Sequence, residues 1–268
     1  MWLGASLREW NTGGNKVTDY LLVHAAGQGA WSWGRVWGEM TSPDEHPPRL
    51  YAYRAVGKVF PLDLPGHGLD SDGDTSTVQF EECVQSVARS IERQGLVRPV
   101  IVAHGSSAPI VLQACATLDL EPSRIILISG VVPKDQGTII SQFPALYRYM
   151  LRCSYLLNGL VSRDINLAKN IISRVLCNTM DAMDIVQSIG YFGPLPIRVL
   201  MTKLSLSMMN IPCPVTYVVL NDDKWIPPKK QKIMAARIKD AEVVEIDSCH
   251  QVALQKPKEL AKLLRGYA

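Results

Sequence analysis

Short, strongly apolar runs alternate with helix-patterned stretches along most of the chain, and this alternation constrains the fold more than any other feature. The runs at Tyr20–His24, Val59–Leu64, Pro99–Ala103, Arg124–Ser129, Pro214–Leu220 and Ala241–Ile246 are rich in Val, Ile and Leu and lack strict polar alternation. That is the pattern of strands covered on both faces. Between them, Thr77–Gln94 repeats Phe80, Cys83, Val84, Val87, Ala88 and Ile91 at helical spacing; Pro227–Ile238 and Lys256–Leu264 are further helical stretches. Strand–helix–strand order implies a mostly parallel, doubly wound sheet with right-handed crossovers.

One interval interrupts the rhythm. Residues 133–210 hold no convincing strand, and no Gly or Pro occurs between Gly159 and Gly190. Six of the nine methionines fall there: Met150, Met180, Met183, Met201, Met208 and Met209. The expected organisation is therefore a core of residues 1–132 and 211–268 with a helical cap of residues 133–210. Methionine fills irregular apolar gaps, so Met150 and Met180 are candidate pocket residues; the alternative is a plain helical core with Met as filler.

Charge and cysteine usage narrow the functional class. With 28 basic and 25 acidic residues, the net charge of +3 carries no Lys/Arg block suited to nucleic acid. The longest apolar stretch, Pro99–Leu118, is broken by His104, Gly105, Ser106, Ser107 and Gln113, which suits a strand, a turn and a helix better than a membrane span. Met1–Asn15 lacks the pattern of a secretory signal. The six cysteines show no paired or Cys-x-x-Cys spacing, as expected of reduced thiols in a cytoplasmic protein. No His, Cys and carboxylate cluster has metal spacing, and no dinucleotide glycine fingerprint follows a strand. Neither metal nor cofactor is expected, and the expected partner is a small molecule.

Four motifs follow strands in a fixed order. His24-Ala25-Ala26-Gly27-Gln28-Gly29-Ala30-Trp31 is a small-residue loop whose amides suit a negatively charged oxygen. Asp63-Leu64-Pro65-Gly66-His67-Gly68 is a tight loop. Val102-Ala103-His104-Gly105-Ser106-Ser107-Ala108 joins a strand to a helix. Asn221-Asp222-Asp223-Lys224-Trp225-Ile226-Pro227 and Asp247-Ser248-Cys249-His250 follow the last two strands.

In these motifs, together with Pro257-Lys258-Glu259-Leu260, the chain resembles the α/β-hydrolase-fold proteins, nearest the branch of small methyl esterases and hydroxynitrile lyases. The resemblance implies an eight-stranded sheet, here short of its first strands, a helical cap, and a site at the carboxyl ends of the strands. It makes His250 the catalytic histidine and Asp223 its acidic partner, with Asp222 as a neighbour to be told apart. It makes the amides of Ala26 and Ser106 the oxyanion hole, and it leaves a homodimer open.

The departure lies at the centre of the pattern. The nucleophile elbow is Gly-x-Ser-x-Gly, with small residues relieving a strained turn. Here Ala103 and Ser107 are the small flanks, and Gly105 stands where serine should be. Setting Ser106 at the turn makes bulky His104 a flank; setting Ser107 there makes Pro109 one. Replacement of serine by glycine in an ordinary esterase would leave the same sequence. Without a side chain at position 105 the acyl-enzyme route is closed. An imidazole held by a carboxylate titrates near neutrality and moves protons on a bound substrate directly. The expectation is proton-transfer chemistry of elimination, cyclisation or lyase type, on an apolar carbonyl- or hydroxyl-bearing molecule of specialised metabolism. An ester or thioester hydrolase using Ser106, and an inactive ligand-binding protein, are the competing expectations. Ala25 and Trp225 are further candidate substrate contacts. His24, His67 and His104 are expected to be structural, Cys249 inert, and Trp31, Trp33 and Trp37 packed under the first loop.

Overall fold

The computed structural model describes residues 17–42, 55–70, 75–158, 165–205 and 211–268. His46, Met208, Met209 and the segment read for a secretory signal lie outside them. The strands are β1 (Thr18–Val23), β2 (Val56–Leu62), β3 (Val100–His104), β4 (Arg124–Ile128), β5 (Gly137–Thr138), β6 (Lys203–Leu204), β7 (Val215–Leu220) and β8 (Glu242–Ile246). The helices are α1 (Gly34–Thr41), α2 (Phe80–Gln94), α3 (Ala108–Thr117), α4 (Ala145–Asn158), α5 (Lys169–Ile171), α6 (Ala182–Tyr191), α7 (Ile197–Met201), α8 (Pro228–Ala235), α9 (Val252–Gln255) and α10 (Pro257–Arg265).

Among the described residues, six strands form one sheet in the order β2-β1-β3-β4-β7-β8, parallel throughout. Side chains of a strand alternate between faces, and both faces are buried. Leu21, Val23, Ile101, Ala103, Ile125 and Leu127 pack under α2, α3 and α8. Tyr20, Leu22, Val100, Val102, Ile126 and Ile128 pack under α1, α9 and α10. Helices on both faces make the sheet doubly wound, as its uninterrupted apolar runs required.

All six expected strands form, with ends shifted by a few residues. The second starts at Val56 and stops at Leu62, because Asp63 leaves the ladder to accept the amides of Ala30 (2.6 Å) and Leu69 (3.2 Å). Helix α2 starts at Phe80 rather than Thr77: Gln79 is its N-cap, and the Glu82 carboxylate accepts the Gln79 amide at 2.7 Å. Two expectations fail locally. Residues 133–210 do contain strand, a two-residue antiparallel pair of Gly137–Thr138 with Lys203–Leu204. Trp37 is not packed away; it is 46% exposed, with its indole N–H donated to the Val59 carbonyl.

The loop and helix that follow β1 meet residues of the segment between β4 and β7. There the Gly193 amide donates to the Gly27 carbonyl at 2.8 Å, and Tyr191 stacks on Trp31 at 5.3 Å. Asp184 of α6 takes both Arg35 guanidinium nitrogens of α1, at 2.5 and 2.8 Å. Among the described residues no helix is long and apolar enough to cross a membrane.

Candidate active site

The strand–turn–helix at the end of β3 fixes the geometry. Gly105 has φ +54°, the left-handed region that a side chain adopts only under strain, and its carbonyl accepts the Val131 amide at 2.8 Å. A Cβ built there would lie 3.3 Å from His250 Nε2 and 3.3 Å from Ala25 Cβ. Position 105 is thus the sharp turn that faces the imidazole, and it carries no functional group. Ser107 is turned away, its hydroxyl on the carbonyls of Val23 (3.1 Å) and His104 (2.9 Å).

Ser106 occupies an unexpected place. Its Oγ accepts the Ala26 N–H at 2.7 Å, so one of the two amides expected to meet a substrate oxygen is held by a side chain of the protein itself. Among the described residues no hydrogen bond joins Ser106 to His250. The Ser106 hydroxyl hydrogen is left to donate, polarised by the amide behind it.

His250 follows β8 and is 3% exposed. Its Nδ1 lies 2.7 Å from Asp223 Oδ2, which leaves Nε2 toward position 105. Asp223 is fixed from every side. Oδ1 accepts the amides of Trp225 (2.8 Å) and Ile226 (2.9 Å); Oδ2 also accepts the Ser129 hydroxyl (2.8 Å) and Gln231 Nε2 (3.2 Å). A buried carboxylate so furnished is held in place and orients the ring. Asp222 is exposed and offers its carbonyl to Asn178, which separates it from Asp223. Ser129 and Gln231 belong to this support and carried no signal in the sequence, since a lone Ser and a lone Gln match no motif.

Two further imidazoles, His24 and His104, are kept neutral. His24 Nε2 accepts the Leu64 amide, so Nδ1 must carry the proton that it donates to the Ala25 carbonyl (2.8 Å). Burial, aided by neighbouring His67, pushes His24 down to about 3. His104 packs on His250 with ring centres 4.6 Å apart; burial first, then His250 itself, holds it well below the usual imidazole range. The Cys249 thiol is buried and pushed up by desolvation.

Ala25, Ala26, Gln28, Ser106, His250 and Gln251 form the floor of a chamber roofed by Trp225, Phe143, Leu167, Leu176, Phe192, Leu195 and Leu200. Trp225 is stacked on Tyr147 at 5.1 Å and set against Phe143 at 4.7 Å. The expected methionines are not in this lining. Met150 is 46% exposed on α4, and Met180 lines a separate cavity of about 250 Å³ with Trp31, Arg35 and Tyr191. Leucine and phenylalanine supply the apolar wall instead. Among the described residues no group of three His, Cys, Asp or Glu side chains is placed to hold a metal ion.

A mostly parallel sheet flanked by helices, with an acid–histidine pair and a left-handed turn at the strand ends, is the arrangement of the α/β-hydrolase class. The alpha/beta hydrolase family model matches residues 20–263, and the chain belongs to that family. It is 23% identical over 260 residues to an Arabidopsis thaliana protein named as a chloroplastic methylesterase, a match covering 93% of this chain and 71% of that one. Among solved structures, an extracellular α/β-hydrolase from a Paenibacillus species superposes with a TM-score of 0.77 at 20% identity, over 94% of this chain and 99% of that one. A variant of tomato methylketone synthase I superposes with a TM-score of 0.69 at 19% identity, over 94% and 99%.

Proposed function

We propose that the chain is a non-hydrolytic enzyme in which His250, held by Asp223, takes and returns a proton on a bound small molecule with no covalent intermediate. The observation that carries this reading is Gly105. The turn that should present a nucleophile to His250 Nε2 is formed, and it presents none. The hydroxyl next to it is committed to the Ala26 amide.

In this reading the substrate oxygen lies in the space over Gly105. His250 Nε2 removes a proton from carbon or hydroxyl, and the negative charge that develops on oxygen is met by the Ser106 hydroxyl and the Ser106 amide. Proton return to the departing or rearranged group completes an elimination, cyclisation or lyase-type cleavage. The apolar roof suits an aliphatic or aromatic body, and by limiting water it strengthens each charge interaction beneath it. The methylketone synthase relative, whose structure holds β-ketoheptanoate, is consistent with carbonyl chemistry on this scaffold. The six cysteines are all unbridged, which supports a reducing, cytoplasmic setting.

Replacing His250 with Ala is expected to abolish turnover. Ser106→Ala should retain activity within about tenfold, because the Ala26 amide then faces the oxygen itself. A Ser106→Ala variant as inactive as His250→Ala would move the assignment to a hydrolase using Ser106. Tight ligand binding with no activity to lose at His250 would move it to a binding protein.

A further inference from the structure

Beside His250, two glutamines that match no motif form a short hydrogen-bond chain on the chamber floor. The Ala25 amide donates to Gln28 Oε1 at 3.3 Å, which fixes the orientation of that side-chain amide. Gln28 Nε2 therefore faces Gln251, donating to its Oε1 at 2.7 Å. Gln251 must then present its own NH₂ group. That nitrogen is fully buried in a residue only 2% exposed, and among the described residues it has no hydrogen-bond partner.

A buried donor without a partner carries a desolvation cost that folding alone does not recover, and such groups mark places where a ligand completes the bonding. Both glutamines line the chamber with His250 and Ser106. The order of donors is set from the backbone outward, so Gln251 cannot relieve itself by turning over without breaking the bond from Gln28. The chamber lining thus holds the Ser106 hydroxyl and Gln251, whose side-chain NH₂ is unpartnered, with Nε2 of His250 turned toward position 105 beside them.

We infer that Gln251, held by Gln28, is a specificity-determining residue that reads a second oxygen acceptor on the substrate, so that the preferred ligands carry two oxygen functions rather than one. The inference deepens the proposed proton-transfer role and rests on its chamber, because a second carbonyl also acidifies the carbon between the two. An amide donor suits a carbonyl or ether oxygen and gives no help to a purely hydrocarbon tail.

Calorimetric titration of the full chain with N,N-dimethylacetoacetamide, which has two carbonyls, and N,N-dimethylbutanamide, which has one, tests this without turnover. The unmodified chain is expected to hold the first about tenfold more tightly. Gln251→Met, close in volume but without a donor, should bind both alike. Gln28→Met should shrink the preference by freeing the Gln251 amide to turn, and it serves if Gln251→Met does not fold. Equal affinities in the unmodified chain, or a preference that survives Gln251→Met, would overturn the inference. His250→Ala should keep the binding preference while losing activity; an active His250→Ala enzyme would defeat the base assignment and leave the role of Gln251 standing.

Discussion

Restoring a hydroxyl at the elbow is the perturbation whose consequences follow most directly from the geometry. In Gly105→Ser the backbone must keep φ near +54°, which costs a residue with a Cβ about 1–2 kcal/mol. The new Cβ meets His250 Nε2 and Ala25 Cβ at 3.3 Å each, tighter than ordinary contact, so these neighbours must give by a few tenths of an ångström. A total destabilisation of about 1–3 kcal/mol corresponds, for 268 residues, to a melting temperature lower by about 2–5 °C. The hydroxyl then lies against Nε2, fills the space assigned to the substrate oxygen and occupies the base. Proton-transfer activity should fall by at least a hundredfold in order of magnitude. In the double variant Gly105→Ser/Ser106→Ala the Ala26 amide is released, and p-nitrophenyl acetate should give an acyl-enzyme burst. The assays are differential scanning fluorimetry, turnover of the native reaction and stopped-flow release of p-nitrophenol. Native activity undiminished in Gly105→Ser would refute the placement of chemistry between position 105 and His250.

Other consequences follow from individual contacts. His24 is neutral in the fold with a pKa near 3, against 6.5 when unfolded. The unfolded chain therefore binds more protons between these values, and the stability it contributes is complete above pH 6.5 and is lost as pH falls toward 3. Chemical denaturation should show a loss of several kcal/mol across that window, flattened in His24→Asn; an unchanged slope would contradict the burial argument. Ser129→Ala removes a buried hydrogen bond to Asp223 Oδ2 and should lower stability by about 1.5–3 kcal/mol and reduce turnover, measured by urea unfolding and steady-state kinetics. Arg35→Ala breaks the exposed link from α1 to Asp184 of α6 and a bond to the Leu254 carbonyl, so it should change stability by about 1 kcal/mol while speeding ligand entry in stopped-flow binding. A large loss of stability there would contradict the reading of this pair as a weak surface link.

The layers of the fold were legible because burial on both faces leaves a strong signature: six runs without polar alternation became six parallel strands. Element ends were less so, since they depend on side chains distant in sequence, as when Asp63 leaves β2 for the amides of Ala30 and Leu69. At the site, His250, Asp223 and the turn at Gly105 were named through the family resemblance, in motifs that each follow a strand. The position of the Ser106 hydroxyl on the Ala26 amide was not, because it joins two loops 80 residues apart through one rotamer. Nor was the composition of the roof. Methionine enrichment marked residues 133–210 as adaptable, yet Met150 faces outward and Met180 a neighbouring cavity, since composition carries no direction. Gln28 and Gln251 gave no signal alone; their meaning arises only when the chain brings them to 2.7 Å.

Whether the enzyme passes through a covalent adduct is decided most directly by intact-protein mass spectrometry after exposure to a fluorophosphonate, with a second aliquot quenched during turnover. The account predicts an unmodified mass in both, because no hydroxyl is activated by His250. A stoichiometric adduct mapped to Ser106 would contradict it.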